Sequence, residues 1–218
     1  MLILLPPSEG KQSPESGEPL NFESLFAADA LTDLRRTALS PQMDLSCARP
    51  AHEIYSGVLY KALDWPTLTR SEKARGSEAI RIFSALYGAI KIDDVISPYK
   101  RKMSTSYWKT ALTEIFDSME HKVFVDCRSS TYSSVWLPPL EKNVAVRVFQ
   151  MKDGKRTVIT HMSKKYRGEL TRNLLKDNSP SSPSSPMEVH TIAEKYFRCE
   201  LNEPTRNTPW YLDLLIDL

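Results

Sequence analysis

Two short runs of cations carry the clearest chemistry in this sequence. Lys100-Arg101-Lys102 is one, and Lys164-Lys165 with Arg167 is the other. Lys11 adds a further cation behind Gly10, and Tyr55, Tyr87, Tyr99 and Tyr107 add aromatic rings. Ammonium and guanidinium groups beside aromatic faces can hold phosphates and stack bases. The same residues also fit a solvated charged surface above a core of buried tyrosines. Lys164 and Lys165 stand at the start of a helical pattern, where free N–H groups and the helix dipole favour an anion. Cations do not help the helix at that end, which is mildly suggestive of a task outside it.

Other chemistries find less support. His52, His121, His161 and His190 never fall three or four residues apart, and none shares a frame with a Cys-x-x-Cys pair. No metal site is therefore expected. The chain has neither a Gly-x-Ser-x-Gly elbow nor a Gly-x-Gly-x-x-Gly fingerprint, and no cofactor is expected. Gly10-Lys11 invites comparison with a phosphate-binding P-loop. The comparison fails, because Leu5 stands five positions before Gly10 and Gln12 follows where Ser or Thr is needed. Cys127 follows a predicted strand and is expected to be a buried structural thiol.

The 218 residues are 41% hydrophobic and 26% charged, which suits a globular domain able to bury a core without disulfides. A net charge of +2 does not announce a nucleic-acid binder, so any electrostatic argument rests on local clustering. Three widely separated cysteines point to a reducing compartment. The Met1-Leu-Ile-Leu-Leu5 run lacks the flanks of a signal peptide and reads as a buried strand. No apolar run approaches the roughly 20 residues of a membrane helix. The expected location is the cytoplasm, with no membrane and no obligate protein partner.

The elements that must position these residues follow from periodicity. Leu2 to Leu5 is a buried strand that Pro6-Pro7 ends, and Ser8 to Lys11 is a turn. Asn21 to Leu39 and Ala51 to Leu63 have helical spacing. Asn21 or Ser24 could cap the first, and Gly57 inside the second suggests a close backbone approach. Glu78 to Leu86 reads as a strand, Tyr87-Gly88 as a turn, and Ala89 to Ile96 as a short helix with Asp93 and Asp94 exposed. Ser106 to Met119 is helical. Lys122 to Asp126 is a strand with a hydroxyl-rich loop after it, Cys127 to Tyr132, and a short helix is expected from Ser133 to Leu137. Val144 to Met151, a turn at Asp153-Gly154 and Thr157 to His161 form a hairpin. Ser163 is expected to cap a helix from Lys164 to Leu175. Asn178 to Pro186 is a Ser/Pro-rich mobile loop. Met187 to Tyr196 is a helix, Phe197 to Leu201 a strand, and Trp210 to Leu218 a docked hydrophobic end. This interleaving predicts an α+β (mixed α/β) fold: a single domain over 1–218, with a central mixed sheet flanked by helices.

Several segments together resemble the YaaA family of bacterial peroxide-stress resistance proteins. They are Met1-Leu-Ile-Leu with the following proline and Lys11; Tyr55-Ser-Gly57; Ser84-Ala-Leu-Tyr-Gly88 with Ile96-Ser-Pro-Tyr99 and Met103; Tyr107-Trp108; Ser129 with Tyr132; and Ser163-Lys-Lys-Tyr-Arg-Gly168. They occur in the family's order and reach to about Leu175. The resemblance implies a cytoplasmic protein that limits oxidative damage to DNA and lowers free iron under peroxide. It further implies DNA binding through a helix-hairpin-helix-like element and a positively charged cleft, with Leu86-Tyr87-Gly88 as the hairpin.

The phosphate-contacting residues then expected are Lys11, Tyr55, Tyr87, Gly88, Tyr99, Lys100, Arg101 and Lys102, facing Ser129, Lys164, Lys165 and Arg167 across the cleft. The partner is DNA without sequence preference, or a phosphate-bearing small molecule. In the second case the protein is an enzyme whose pocket encloses Lys11, Tyr55, Lys164, Lys165 and Arg167, with a lysine or tyrosine as acid-base group. Direct iron binding finds no ligand cluster in the sequence.

Overall fold

The structure is a computed structural model that describes residues 1–152, 155–159, 162–179 and 181–217. In chain order the elements are β1 (Leu2–Leu5), α1 (Ala28–Thr37), β2 (Arg49–Pro50), α2 (Ala51–Ile54), α3 (Val58–Leu63), α4 (Arg70–Ala79), β3 (Ile80–Ser84), β4 (Gly88–Ile90) and β5 (Val95–Ile96). Then come α5 (Thr105–Asp117), β6 (Phe124–Asp126), α6 (Ser130–Ser133), β7 (Asn143–Lys152), β8 (Lys155–Val158), α7 (Ser163–Lys176), α8 (Pro186–Glu194), β9 (Cys199–Asn202) and β10 (Trp210–Asp217).

Among the described residues, eight strands form one sheet in the order β4-β3-β1-β6-β7-β10-β9, with β8 paired to the far half of β7. The five inner strands are parallel, and β4, β8 and β9 are antiparallel additions. Inner strands buried on both faces read as continuous apolar runs. That is why Leu2-Ile-Leu-Leu5, all four fully buried, carries no alternation. The chain leaves β1 towards β3 on one side and leaves β6 towards β7 on the other. The β1/β6 junction is therefore a topological switch point, and a crevice opens there beyond the carboxyl ends of the strands.

Helices flank the sheet. α7 packs on α3, α4 and β7, while α5 packs on α1 and β4. The α3–α7 contact is close because residue 168 is glycine: a Cβ there would lie 2.2 Å from the Leu59 carbonyl oxygen. Among the described residues, no helix is long and apolar enough to cross a membrane.

Several local expectations are corrected. Ala89 to Ile96 is not a helix; it is β4, a turn and β5. Asp94 is buried, not exposed, because its carboxylate accepts from the Phe26 and Lys91 N–H groups at 2.9 Å each. The helix expected over Ala51 to Leu63 breaks into α2 and α3, since Tyr55 is extended and pairs with Lys11 in an isolated bridge. The short helix after β6 covers Ser130–Ser133, earlier than expected. Ser163 is the first helical residue of α7, and Met162 holds the cap position. Asn21 does cap, although what it caps is the short 3-10 turn Phe22–Ser24, through an Oδ1 that accepts from Glu23 N–H. The Asp153-Gly154 turn, with Thr160 and His161 of the returning strand, Pro180 of the Ser/Pro-rich loop and Leu218, lies outside the described residues.

Candidate nucleic-acid and phosphate interface

The loop after β1 organises the site. Pro6-Pro7 ends the strand, and the Ser8 Oγ accepts from the Gly57 N–H at 2.8 Å. A Cβ on residue 57 would sit 2.3 Å from that oxygen, so glycine is required for the loop to reach α3. Lys11 then pairs with Tyr55 through the backbone, and its Nζ donates to the Ser8 carbonyl at 2.6 Å. The ammonium lies 4.3 Å from the centre of the Tyr99 ring and 5.7 Å from that of Tyr55. Burial lowers the Lys11 pKa below its usual 10.5, and Glu9 opposes that shift.

A chain of hydroxyls lies beneath this lysine. Ser84 Oγ accepts from the Tyr87 and Leu86 N–H groups at 3.0 and 3.3 Å. Its own proton is then directed to Tyr99 Oη, 2.7 Å away, and Tyr99 in turn lies 3.2 Å from Tyr55 Oη. All three residues are buried. Burial pushes the Tyr99 pKa up to about 12 and holds that of Tyr55 well above its usual value.

The Leu86-Tyr87-Gly88 turn joins two antiparallel strands, β3 and β4. Tyr87 is 0% exposed, and its hydroxyl donates to the Ser97 carbonyl at 2.8 Å while accepting from the Ser97 N–H at 3.1 Å. Gly88 has φ +72°, and a Cβ there would approach the Trp108 ring to 2.8 Å. Arg35, itself fully buried, clasps the turn by donating to the Tyr87 and Ala89 carbonyls at 3.0 Å each. This corrects the expectation for Tyr87 and Gly88. Their polar groups are consumed inside the core, so they aim the Tyr99–Arg101 exit and present nothing to solvent.

Two cavities open at the carboxyl edge of the sheet, on either side of the Ser8–Lys11 loop. The first, of about 560 Å³, lies over the β1, β6 and β7 ends and takes in Ser129, Lys164 and Arg167. The second, of about 680 Å³, takes in Lys11, Tyr99, Lys100 and Arg101. Glu9 and Gly10 line both. The structure thus brings the expected cations to one edge but divides them between adjoining recesses. Tyr55 supports Lys11 from below. Lys102 is exposed beside the second recess without lining it. Lys165 turns along α7 towards Glu169, 3.6 Å away, and lines neither.

Arg167 is partly committed to structure. Its guanidinium donates to the Val146 carbonyl at 3.0 Å and to those of Cys127 and Arg128 at 3.3 and 3.4 Å, joining the segment after β6 and the first half of β7 to α7. Cys127 is buried, and burial pushes its thiol up to about 12, so it stays protonated and unreactive at neutral pH.

Periodicity missed the groups that frame the first recess. Arg128 makes a buried two-pronged pair with Asp126, at 2.9 and 2.7 Å, and lies 4.1 Å over the Phe83 ring. Arg147 pairs in the same way with buried Asp213, at 2.6 and 2.7 Å. Tyr60 donates to the Pro6 carbonyl at 2.7 Å. An Asp-x-Arg at the end of a strand was the visible signal for the first pair. The Arg147–Asp213 partners are 66 residues apart, so nothing local announced them.

Comparison with known proteins places this architecture. The chain is 30% identical to a UPF0246 protein of Streptomyces coelicolor, over 99% of this chain and 98% of the relative. It is 35% identical to a UPF0246 protein of Corynebacterium glutamicum, over 80% of this chain and 84% of that one. A UPF0246 protein of Shewanella sp. MR-4 is 27% identical over 79% and 72% of the two chains. Residues 27–200 match the family model described as peroxide stress protein YaaA, and with most of its length covered the chain belongs to the YaaA peroxide stress family.

Proposed function

We propose that the chain serves the response to peroxide by binding DNA, without sequence preference, along the basic edge of its sheet, and so limits damage by peroxide and iron. One observation carries this reading. Lys11, Lys100 and Arg101 on one side of the Ser8–Lys11 loop, and Lys164 and Arg167 on the other, place five cations in two adjoining recesses of one sheet edge, with Glu9 as the carboxylate common to both. Among the described residues, Lys100, Lys102 and Lys164 have no acidic partner within ion-pair distance. An extended polyanion would neutralise what the fold leaves unpaired, with release of condensed counterions.

A mobility-shift titration of duplex DNA over a salt series tests it. Affinity should fall steeply with salt, and Lys100→Ala with Lys164→Ala should weaken binding equally for unrelated sequences. A complex that ignores salt, or no complex at low salt, overturns the reading. Protection of plasmid DNA from iron and peroxide nicking should follow binding across the same variants.

A second reading has its own support. The 560 Å³ recess sits at the switch point of a mainly parallel sheet, where open α/β sheets hold small ligands. There the protein would act on a phosphorylated or nucleotide-like small molecule.

A further inference from the structure

The recess at the β1/β6 junction holds polar groups that the fold does not use. Ser129 occupies the cap position of α6 without a side-chain cap bond. Among the described residues, the hydroxyl of the half-buried Tyr132 has no hydrogen-bond partner, and burial together with Glu9 raises its pKa. Among the described residues, the exposed Lys164 has no ion-pair partner and the buried Nε of Arg167 has no hydrogen-bond partner. Of these the Arg167 Nε is the buried orphan, and such a group indicates a ligand or water that completes it; Ser129, Tyr132 and Lys164 line the same recess.

Charge bookkeeping narrows the ligand. Arg128 and Arg147 also line the recess, but Asp126 and Asp213 neutralise them. Lys164 and Arg167 remain, against one carboxylate, Glu9. That balance suits a single phosphate ester; a triphosphate would bring more negative charge than the recess can match. The phosphate end has a natural place at Lys164, which stands in the first turn of the fourteen-residue α7, where the helix dipole favours an anion. The remaining wall is apolar and aromatic, with Tyr132, Phe149, Val148 and Val58 facing the space. Flat aromatic heterocycles stack on such rings, and Glu9 can accept from ring amino or sugar hydroxyl groups.

We infer that this recess binds one monophosphorylated nucleotide, phosphate towards Lys164 and base against Tyr132. The inference rests on the second of the two readings above and adds the ligand class to it. The nucleotide has two sources: a free 5′-monophosphate, or a residue turned out of a DNA strand lying in the adjoining recess.

Calorimetric titration of the full chain with dAMP, dCMP, ribose 5-phosphate, adenosine and inorganic phosphate tests the ligand. The monophosphates should bind with a dissociation constant of about 0.1–1 mM, and the fragments about tenfold more weakly or not at all. Lys164→Met should weaken binding about tenfold at an unchanged melting temperature; Tyr132→Ala should weaken it about tenfold as well, with some loss of stability because the ring packs against the core, while Tyr132→Phe should keep most of the affinity and the stability. Equal binding of ribose 5-phosphate and dAMP overturns the nucleotide assignment and leaves the phosphorylated small-molecule reading standing. No binding of any phosphate ester at millimolar concentration overturns both.

Duplexes carrying one unpaired 2-aminopurine separate the sources. A rise in fluorescence with the wild-type chain, lost in Tyr132→Ala, assigns the strand as source. Monophosphate binding without that rise assigns the free nucleotide. Nucleotide binding without any DNA mobility shift removes the DNA-binding reading and keeps this one.

Discussion

The two recesses beside the Ser8–Lys11 loop use positive charge in opposite ways. Around the β6 and β7 ends the arginines are struts: Arg128 and Arg147 each grip an aspartate with both prongs, and Arg167 ties three carbonyls together. Across the loop Arg101 also donates to a carbonyl, that of Ala38, and the lysines are the groups left towards solvent. Lys100 and Lys102 are exposed and, among the described residues, have no ion-pair partner, and Lys11 rests on two tyrosine rings. The difference teaches that a cluster of cations in the sequence is not one kind of object. A planar guanidinium beside a buried carboxylate shapes backbone, whereas an ammonium at the rim stays available to an anion.

The largest test of that contrast is Asp126→Asn. It leaves the fully buried Arg128 side chain without its counter-charge, and the chain should lose about 3–5 kcal/mol in a denaturant titration. A loss under about 1 kcal/mol would put Arg128 in the same class as the surface cations. Gly88→Ala should cost about 3 kcal/mol, because residue 88 needs a left-handed backbone and would press on the Trp108 ring. An unchanged melting temperature there would show that the turn is not the rigid joint described above.

Smaller effects sharpen the other side. Tyr99→Phe removes the hydroxyl that links Ser84 to Tyr55 and should cost about 1–2 kcal/mol, with the DNA affinity nearly intact. Lys100→Ala with Lys102→Ala should leave stability within about 0.5 kcal/mol while reducing the salt slope of DNA binding by about 1.8. A stability loss without a change in slope would reverse the assignment. The smallest effect concerns pH. The folded pKa of Lys11 lies below its ordinary 10.5, so the unfolded chain holds that proton more tightly. Folded stability should therefore rise, relative to a Lys11→Met variant, as pH climbs from the folded value towards 10.5. Parallel melting curves for the two proteins across that window would exclude the shift.

The sequence was most legible where one local signal ruled. The buried strand at Leu2 to Leu5, the helix at α5 and the strand β7 follow from apolar runs and period, while β8 begins at Lys155, two residues before the returning strand expected from Thr157. The site was half legible. Lys11, Lys100, Arg101, Lys164 and Arg167 do meet at one edge, and Lys165 departs because α7 rotates it towards Glu169. Tyr87 and Gly88 misled because a small-residue turn between apolar runs looks the same in a buried β-hairpin as in an exposed joint between helices. Ala89 to Ile96 misled because Asp93-Asp94 suggested a solvent-facing turn of helix, while Asp94 is held inside by two backbone N–H groups.

By itself the sequence determined the class of fold, the identity of the cations and the membership carried by ordered short motifs. These are local quantities: period, residue type and spacing. Tertiary structure alone decided which strand lies beside which. The β1/β6 switch point, the pairing of Arg147 with Asp213, and the long parallel register of β10 on β7 join residues far apart in the chain. Their energies depend on burial and geometry that exist only after the sheet has closed around its core, and those contacts separate a strut from a free charge.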